Sequence, residues 1–106
     1  MKDTNLGGFE ELVLLAIGTL EDDAYSISIK STLESYTGRA PSIGALHSAL
    51  MRLEEKGFID SSEGGASNER GGRRKRFYTI SAKGHEALSY ARELRNNFYK
   101  NIPSIS

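Results

Sequence analysis

Apolar residues recur at steps of three and four in four stretches of the chain, a spacing that predicts amphipathic helices. The clearest stretch follows Ser42, and its apolar stripe consists of Ile43, Leu46, Leu50 and Leu53. Pro41 and Ser42 predict the helix start, because proline fits a first turn and a serine hydroxyl can cap free N–H groups. Gly57 predicts the helix end.

Three other helices follow from the same spacing. The first begins at Phe9 and carries a wide stripe of Phe9, Leu12, Val13, Leu14, Leu15, Ala16, Ile17 and Leu20. The second begins near Tyr25 and Ser26 and carries Ile29, Leu33 and Tyr36. The last follows Ser81 and carries Ala87, Leu88, Ala91, Leu94 and Phe98. The short connection between the second helix and the Ser42 helix is typical of a helix-turn-helix.

Between the Ser42 helix and the last helix, the pattern changes to strands. Phe58 and Ile59 open one strand, residues 64–72 read as a glycine-rich loop, and residues 73–80 form a return strand rich in aromatic and β-branched residues. Two strands joined by a long tip form a wing. The sequence therefore predicts a mainly α (α+β) winged helix-turn-helix domain over 9–81, a flexible lead over 1–8, and a C-terminal helix and tail over 82–106.

The outward face of the Ser42 helix is unusually small near its start, so it can approach another surface closely. Its N-terminal N–H groups also suit a phosphate. In a helix-turn-helix these residues become the candidates for DNA contact: Ser42, Gly44, Ala45, His47, Ser48 and Arg52. Taken alone, the helix could equally be an ordinary core helix with a small outer face.

A cluster of cations near the wing tip is the second candidate for DNA contact. It consists of Arg70, Arg73, Arg74, Lys75 and Arg76. Neutralising phosphates is the simplest use of such a density of positive charge, and an arginine at the tip could enter a minor groove. The alternative is a solvated strand whose charges prevent edge pairing.

Charge along the 106 residues supports this interpretation, although the net charge is zero. Residues 1–40 hold three basic and seven acidic residues, a net −4, whereas residues 41–106 hold eleven basic and seven acidic residues, a net +4. One end of the molecule can therefore face phosphate.

Composition argues against several other classes of protein. There is no cysteine, so disulfides and thiolate metal sites are excluded. His47 and His85 are isolated, and no catalytic constellation or phosphate-binding loop appears, so we predict neither an enzyme nor a metal or cofactor. Without a long apolar run or a signal-peptide pattern, a soluble cytoplasmic protein with no membrane contact is expected.

Three motifs together resemble the PadR family of bacterial transcriptional regulators. They are the first turn of the Ser42 helix, its Leu-x-x-Leu-Glu-Glu-Lys-Gly-Phe-Ile continuation, and the later Gly-Gly-Arg-Arg-Lys-Arg-Phe-Tyr-Thr-Ile-Ser-Ala-Lys-Gly. The similarity runs from about Leu12 to Leu88. His47 stands where the family usually has tyrosine, so the phosphate contact expected there is open.

The resemblance implies a homodimer that binds double-stranded DNA at an inverted repeat and represses transcription. It also implies that the first and last helices form the subunit contact, where a small aromatic or hydrophobic effector could bind. The apolar residues expected at this interface or pocket are Phe9, Leu14, Leu15, Tyr90, Leu94 and Phe98. The alternative function is a winged helix for protein contact, whose basic wing docks on an acidic partner.

Overall fold

In a computed structural model that describes residues 5–64 and 75–104, three helices precede a pair of strands and a fourth helix follows it. The helices are α1 (Gly8–Leu20), α2 (Ser26–Thr37), α3 (Ile43–Glu55) and α4 (Ala82–Lys100), with a 3-10 turn at Glu21–Asp23. The strands are β1 (Ile59–Glu63) and β2 (Arg76–Ile80). The mainly helical winged architecture predicted from the sequence is confirmed.

The helix limits follow from local capping, as the sequence predicted. The Ser42 hydroxyl accepts from the Ala45 N–H at 3.1 Å at the start of α3, and the Ser81 hydroxyl accepts from the Gly84 N–H at 3.0 Å at the start of α4. Gly57 ends α3 with a φ of 81°, a left-handed conformation that glycine adopts without steric cost.

The core lies between α1, α2 and α3 and is closed by the start of β1. Its largest fully buried side chains are Val13, Leu14, Ile17, Ile29, Leu46, Leu53, Phe58 and Ile59. Two residues of the predicted stripes depart from this pattern, since Leu12 and Ile43 are 43% and 44% exposed. The start of the chain adds to the core, because Leu6 packs against it and α1 already begins at Gly8.

The two strands are antiparallel, with Ile59 opposite Ile80 and Glu63 opposite Arg76. A hydrogen bond of 2.9 Å from the Tyr78 N–H to the Ala24 carbonyl joins β2 to the segment between α1 and α2. Tyr78 is itself buried. The base of the wing is therefore fixed to the helical core by both backbone and side chain.

Helix α4 packs on the rest of the chain mainly through its first two turns. Gly84 and Ala87 are its only buried residues, whereas Leu94 and Phe98 are 44% and 68% exposed. Farther along, Arg95 forms an ion pair with Glu11 of α1. Within the described ranges, no helix is long and apolar enough to cross a membrane.

Candidate nucleic-acid interface

Helix α3 divides cleanly into a buried face and an exposed face. Leu46, Ala49, Leu50 and Leu53 point into the core. The DNA-contact candidates predicted from the sequence all lie on the exposed side: Ser42, Gly44, Ala45, His47, Ser48 and Arg52. A Cβ atom added at Gly44 would meet nothing within 4 Å, so this face is open as well as small.

His47 connects α3 to the start of α2. Its Nε2 lies 3.3 Å from the Ser26 hydroxyl, and Ser26 is the first residue of α2. The first turns of α2 and α3 are thus adjacent, which brings the free N–H groups of two helix starts toward one side of the domain. Such an arrangement suits a phosphate backbone.

Arg52 has a partner that the sequence did not reveal. Its Nε donates to Oε2 of Glu10 at 2.6 Å, and Lys56 Nζ donates to Oε1 of the same carboxylate at 2.7 Å. The Gly7 N–H adds a third hydrogen bond at 3.0 Å. Two cations at the end of α3 therefore converge on one acidic residue in the first turn of α1.

The surroundings of Glu10 keep its carboxyl ionised. Burial alone would raise its pKa, but the hydrogen bonds from Lys56, Arg52 and the Gly7 N–H outweigh burial and lower the pKa from 4.5 to about 2. Because the pKa is lower in the folded state, the carboxylate contributes stability above pH 4.5, and this contribution disappears as the pH falls toward 2.

We expect Glu10→Gln to remove this pH-dependent stability. A pKa lowered by about 2.5 units corresponds to about 3 kcal/mol at neutral pH. Urea unfolding of wild type and variant between pH 7 and pH 2.5 should show a difference in unfolding free energy that shrinks below pH 4.5. A difference that stays constant over this range would contradict the assigned role of the carboxylate.

At the base of the wing, a cation lies over an aromatic ring. Lys75 Nζ is 4.2 Å from the centroid of the Tyr25 ring, and Tyr25 packs edge-on against Phe77 with ring centroids 5.6 Å apart. Arg76 is exposed at the start of β2. The other cations predicted for the wing, Arg70, Arg73 and Arg74, lie outside the described residues.

The residues expected at a subunit interface or pocket do not all reach the surface. Leu15 and Tyr90 are 45% and 54% exposed, like Leu94 and Phe98 farther along α4, and Phe9 is partly buried. Leu14, in contrast, is fully buried among the side chains of this chain's own core. It is therefore a core residue and not a surface contact, because its position on α1 faces α2 and α3 rather than solvent.

The apolar clefts in the described part of the chain lie between α1 and α2, not between α1 and α4 as the sequence suggested. One, of about 220 Å³, is lined by Leu12, Leu15, Ala16, Thr19, Thr32, Leu33, Tyr36 and Thr37. A neighbouring cleft of about 250 Å³ is lined by Phe9, Leu12, Leu33, Thr37, Arg39, Ala40 and Pro41. The exposure of Leu12 and Tyr36 is the signal that sequence periodicity missed.

Comparison with known proteins agrees with this geometry. The family model described as "Transcriptional regulator PadR-like family" matches residues 13–90. A comparison with curated protein sequences finds no match.

Solved structures show the same fold. A PadR-like transcription factor from Bacteroides fragilis is 18% identical with a TM-score of 0.74, over 87% of this chain and 84% of that one. A PadR family regulator from Clostridium difficile is 20% identical with a TM-score of 0.68, over 88% and 93%. A PadR-like regulator from Bacillus cereus is 22% identical with a TM-score of 0.69, over 87% and 84%.

Proposed function

The chain belongs to the PadR-like family of transcriptional regulators, and we propose that it represses transcription by binding an inverted-repeat operator as a homodimer. Membership makes it a DNA-binding regulator and not an enzyme. The single observation that carries the proposal is the open, small-residue face of α3, which lies beside the start of α2. Its site of action would be the cytoplasm, where bacterial DNA is transcribed.

In this proposal α3 enters the major groove and the wing contacts the flanking backbone. Ser48 and His47 can hydrogen-bond base edges or phosphates, and Gly44 and Ala45 allow close approach and contact with thymine methyl groups. The wing cations would neutralise phosphates without reading sequence. Cation-π contact with Tyr25 supports this arrangement, because it ties Lys75 to the start of α2.

Homodimerisation is proposed because α4 leaves an apolar stripe uncovered. Tyr90, Leu94 and Phe98 are spaced by four residues, so they lie on one side of the helix, and all three are exposed. Leu12 and Leu15 expose a second apolar surface on α1. Pairing such surfaces between two copies would place the two α3 helices in successive major grooves, roughly 34 Å apart.

A small aromatic or hydrophobic effector is the weaker part of the proposal. The apolar clefts beside α1 support it, since their linings include Phe9 and Leu15. An effector would act by favouring one separation of the two α3 helices. Titration with aromatic compounds should then shift operator affinity, and a lack of response across a varied set would argue against effector control.

The test is fluorescence anisotropy with a labelled duplex from upstream of the gene, against a shuffled duplex, at several salt concentrations. We expect a Kd of about 10⁻⁸ M or tighter for the native duplex and much weaker binding to the shuffled one. Weak and equal binding to both would instead favour the alternative, in which the basic wing docks on an acidic protein.

Variants separate the two contact surfaces. Reversing the charge at Arg74 and Arg76 should weaken binding to every duplex and reduce the slope of log affinity against log salt by about 0.9 for each lost phosphate contact. Changing Ser48 to alanine should alter the preference among duplexes and leave the salt slope almost unchanged. Equal effects from both sets would mean that α3 is not the reading helix.

A further inference from the structure

Glu10 is the only charged residue that the described part of the chain buries. Its side chain is 6% exposed, while those of its partners Arg52 and Lys56 are 49% and 23% exposed. Burying a carboxylate is costly unless its hydrogen bonds are made, and here both oxygens are paired. Lys56 is further fixed by a 2.9 Å hydrogen bond to the Asn5 carbonyl. The result is a rigid cluster at the junction of α1 and α3.

Arg52 reaches this cluster with only part of its guanidinium. The bond to Glu10 uses Nε, and a guanidinium carries four further N–H donors on its two Nη atoms. About half of the side chain is exposed. Arg52 therefore keeps donors for a second partner while its orientation is held by the first.

The position of Arg52 on α3 indicates what that partner is. Arg52 lies four residues after Ser48 and seven after Ala45, so the three share one exposed stripe of the helix. Ala45 and Ser48 belong to the proposed DNA-reading face. A guanidinium next along the same stripe suits the phosphates that border the groove, because Arg presents a planar fork to phosphate oxygens.

We propose that Glu10 is a positioning residue for DNA binding, which holds Arg52 so that its Nη groups meet the phosphate backbone beside the groove read by α3. This inference rests on the proposed function. Lys56 occupies the other carboxylate oxygen, which leaves Glu10 no freedom to release Arg52. The acidic residue thus strengthens binding to an anion by fixing a cation.

Charge alone predicts the opposite effect, and this makes the proposal easy to test. Removing a negative charge near DNA should strengthen binding and steepen its salt dependence if Glu10 only neutralises its neighbours. If Glu10 positions Arg52, Glu10→Gln should weaken binding and flatten the salt dependence, because a phosphate contact is lost.

The experiment is a double-mutant cycle on the intact chain, with anisotropy on the upstream duplex at several salt concentrations. Arg52→Ala should weaken binding about 10-fold and lower the salt slope by about one. Glu10→Gln should weaken it about 5-fold to 10-fold, and the double variant should bind no worse than Arg52→Ala alone. Effects that multiply, or tighter binding by Glu10→Gln, would overturn the proposal.

Two controls address folding and simple electrostatics. Glu11→Gln makes the same change in charge one residue away, where the carboxylate pairs with Arg95 of α4, and should not flatten the salt slope. Arg52→Lys keeps a cation for Glu10 without the fork and should still bind several-fold more weakly than wild type. Wild-type affinity for Arg52→Lys would refute the positioning role without reference to Glu10→Gln.

The proposed function is tested separately by the wild-type protein. If wild type does not prefer the native duplex over the shuffled one, the operator proposal fails before any variant is compared. If wild type does prefer it and Glu10→Gln leaves affinity and salt slope unchanged, only the role of Glu10 is refuted. A folding defect would lower the fraction of protein able to bind, which titration at high duplex concentration measures.

Discussion

Gly84→Ala should destabilise the domain more than any other single methyl group added to its glycines. A Cβ atom at this position would lie 2.1 Å from the carbonyl oxygen of Phe58 and 2.8 Å from Ile80 Cγ2. The first of these is a backbone atom, and its carbonyl already accepts a 3.0 Å hydrogen bond from the Ser81 N–H. Rotamer changes cannot relieve such a contact, so α4 or the segment after α3 has to move.

We expect a loss of about 3 kcal/mol or more, at the upper end of what overpacking costs. For a domain of this size, that corresponds to a fall in Tm of about 12 to 24 °C. Thermal unfolding followed by circular dichroism measures it directly. The result would also explain the glycine in the Ser-x-Lys-Gly motif, which permits the close approach of α4 to the turn after α3.

Gly44→Ala is the matched control. The same methyl group at Gly44 meets nothing within 4 Å, and alanine is a better helix former than glycine. This variant should be as stable as wild type or slightly more stable. Similar losses at both positions would show that the approach of α4 to Phe58 is looser than the structure has it.

Placing glutamate at both Leu94 and Phe98 should convert the proposed dimer into a monomer. Both side chains are exposed on one stripe of α4, so charges there cost little within one chain but cannot be buried between two. Once the two half-sites are bound by separate chains, affinity for the inverted repeat should fall by a factor of about 10² to 10⁴. Sedimentation equilibrium and anisotropy on the same samples measure the two effects.

Asn96→Glu provides the comparison for this pair. Asn96 is exposed, and two residues beyond Leu94 it lies on nearly the opposite side of α4. It should leave both association and operator affinity unchanged. A wild-type protein that sediments as a monomer at micromolar concentration would refute the homodimer, and a double variant that remains dimeric would move the interface away from this stripe.

Periodicity predicted the helices well because the core of this domain is built from helix stripes. The α3 pattern of Leu46, Leu50 and Leu53 is buried as expected, and Ser42 and Ser81 cap the helices that they were predicted to begin. Periodicity failed where a helix has two apolar surfaces. Leu14 and Leu15 were predicted together, yet the first is buried and the second is 45% exposed, because adjacent residues on a helix face different ways.

The charge pattern also changed meaning in the folded chain. The sequence separates an acidic first part from a basic second part, which suggests that one end faces phosphate. In the structure, Glu10 and Glu11 of the acidic part pair with Arg52, Lys56 and Arg95 of the basic part. Part of the apparent polarity is therefore neutralised inside the molecule.

By itself, the sequence determined the elements, their caps and the family, because each depends on residues within a few positions of one another or on a motif of fixed spacing. The tertiary structure alone decided which exposed residues are available and which are held. Glu10 meets Arg52 and Lys56 across 42 and 46 residues of chain, and Gly84 meets the carbonyl of Phe58 after an intervening wing. No local pattern encodes such contacts, since they arise only when α1, α3 and α4 pack together.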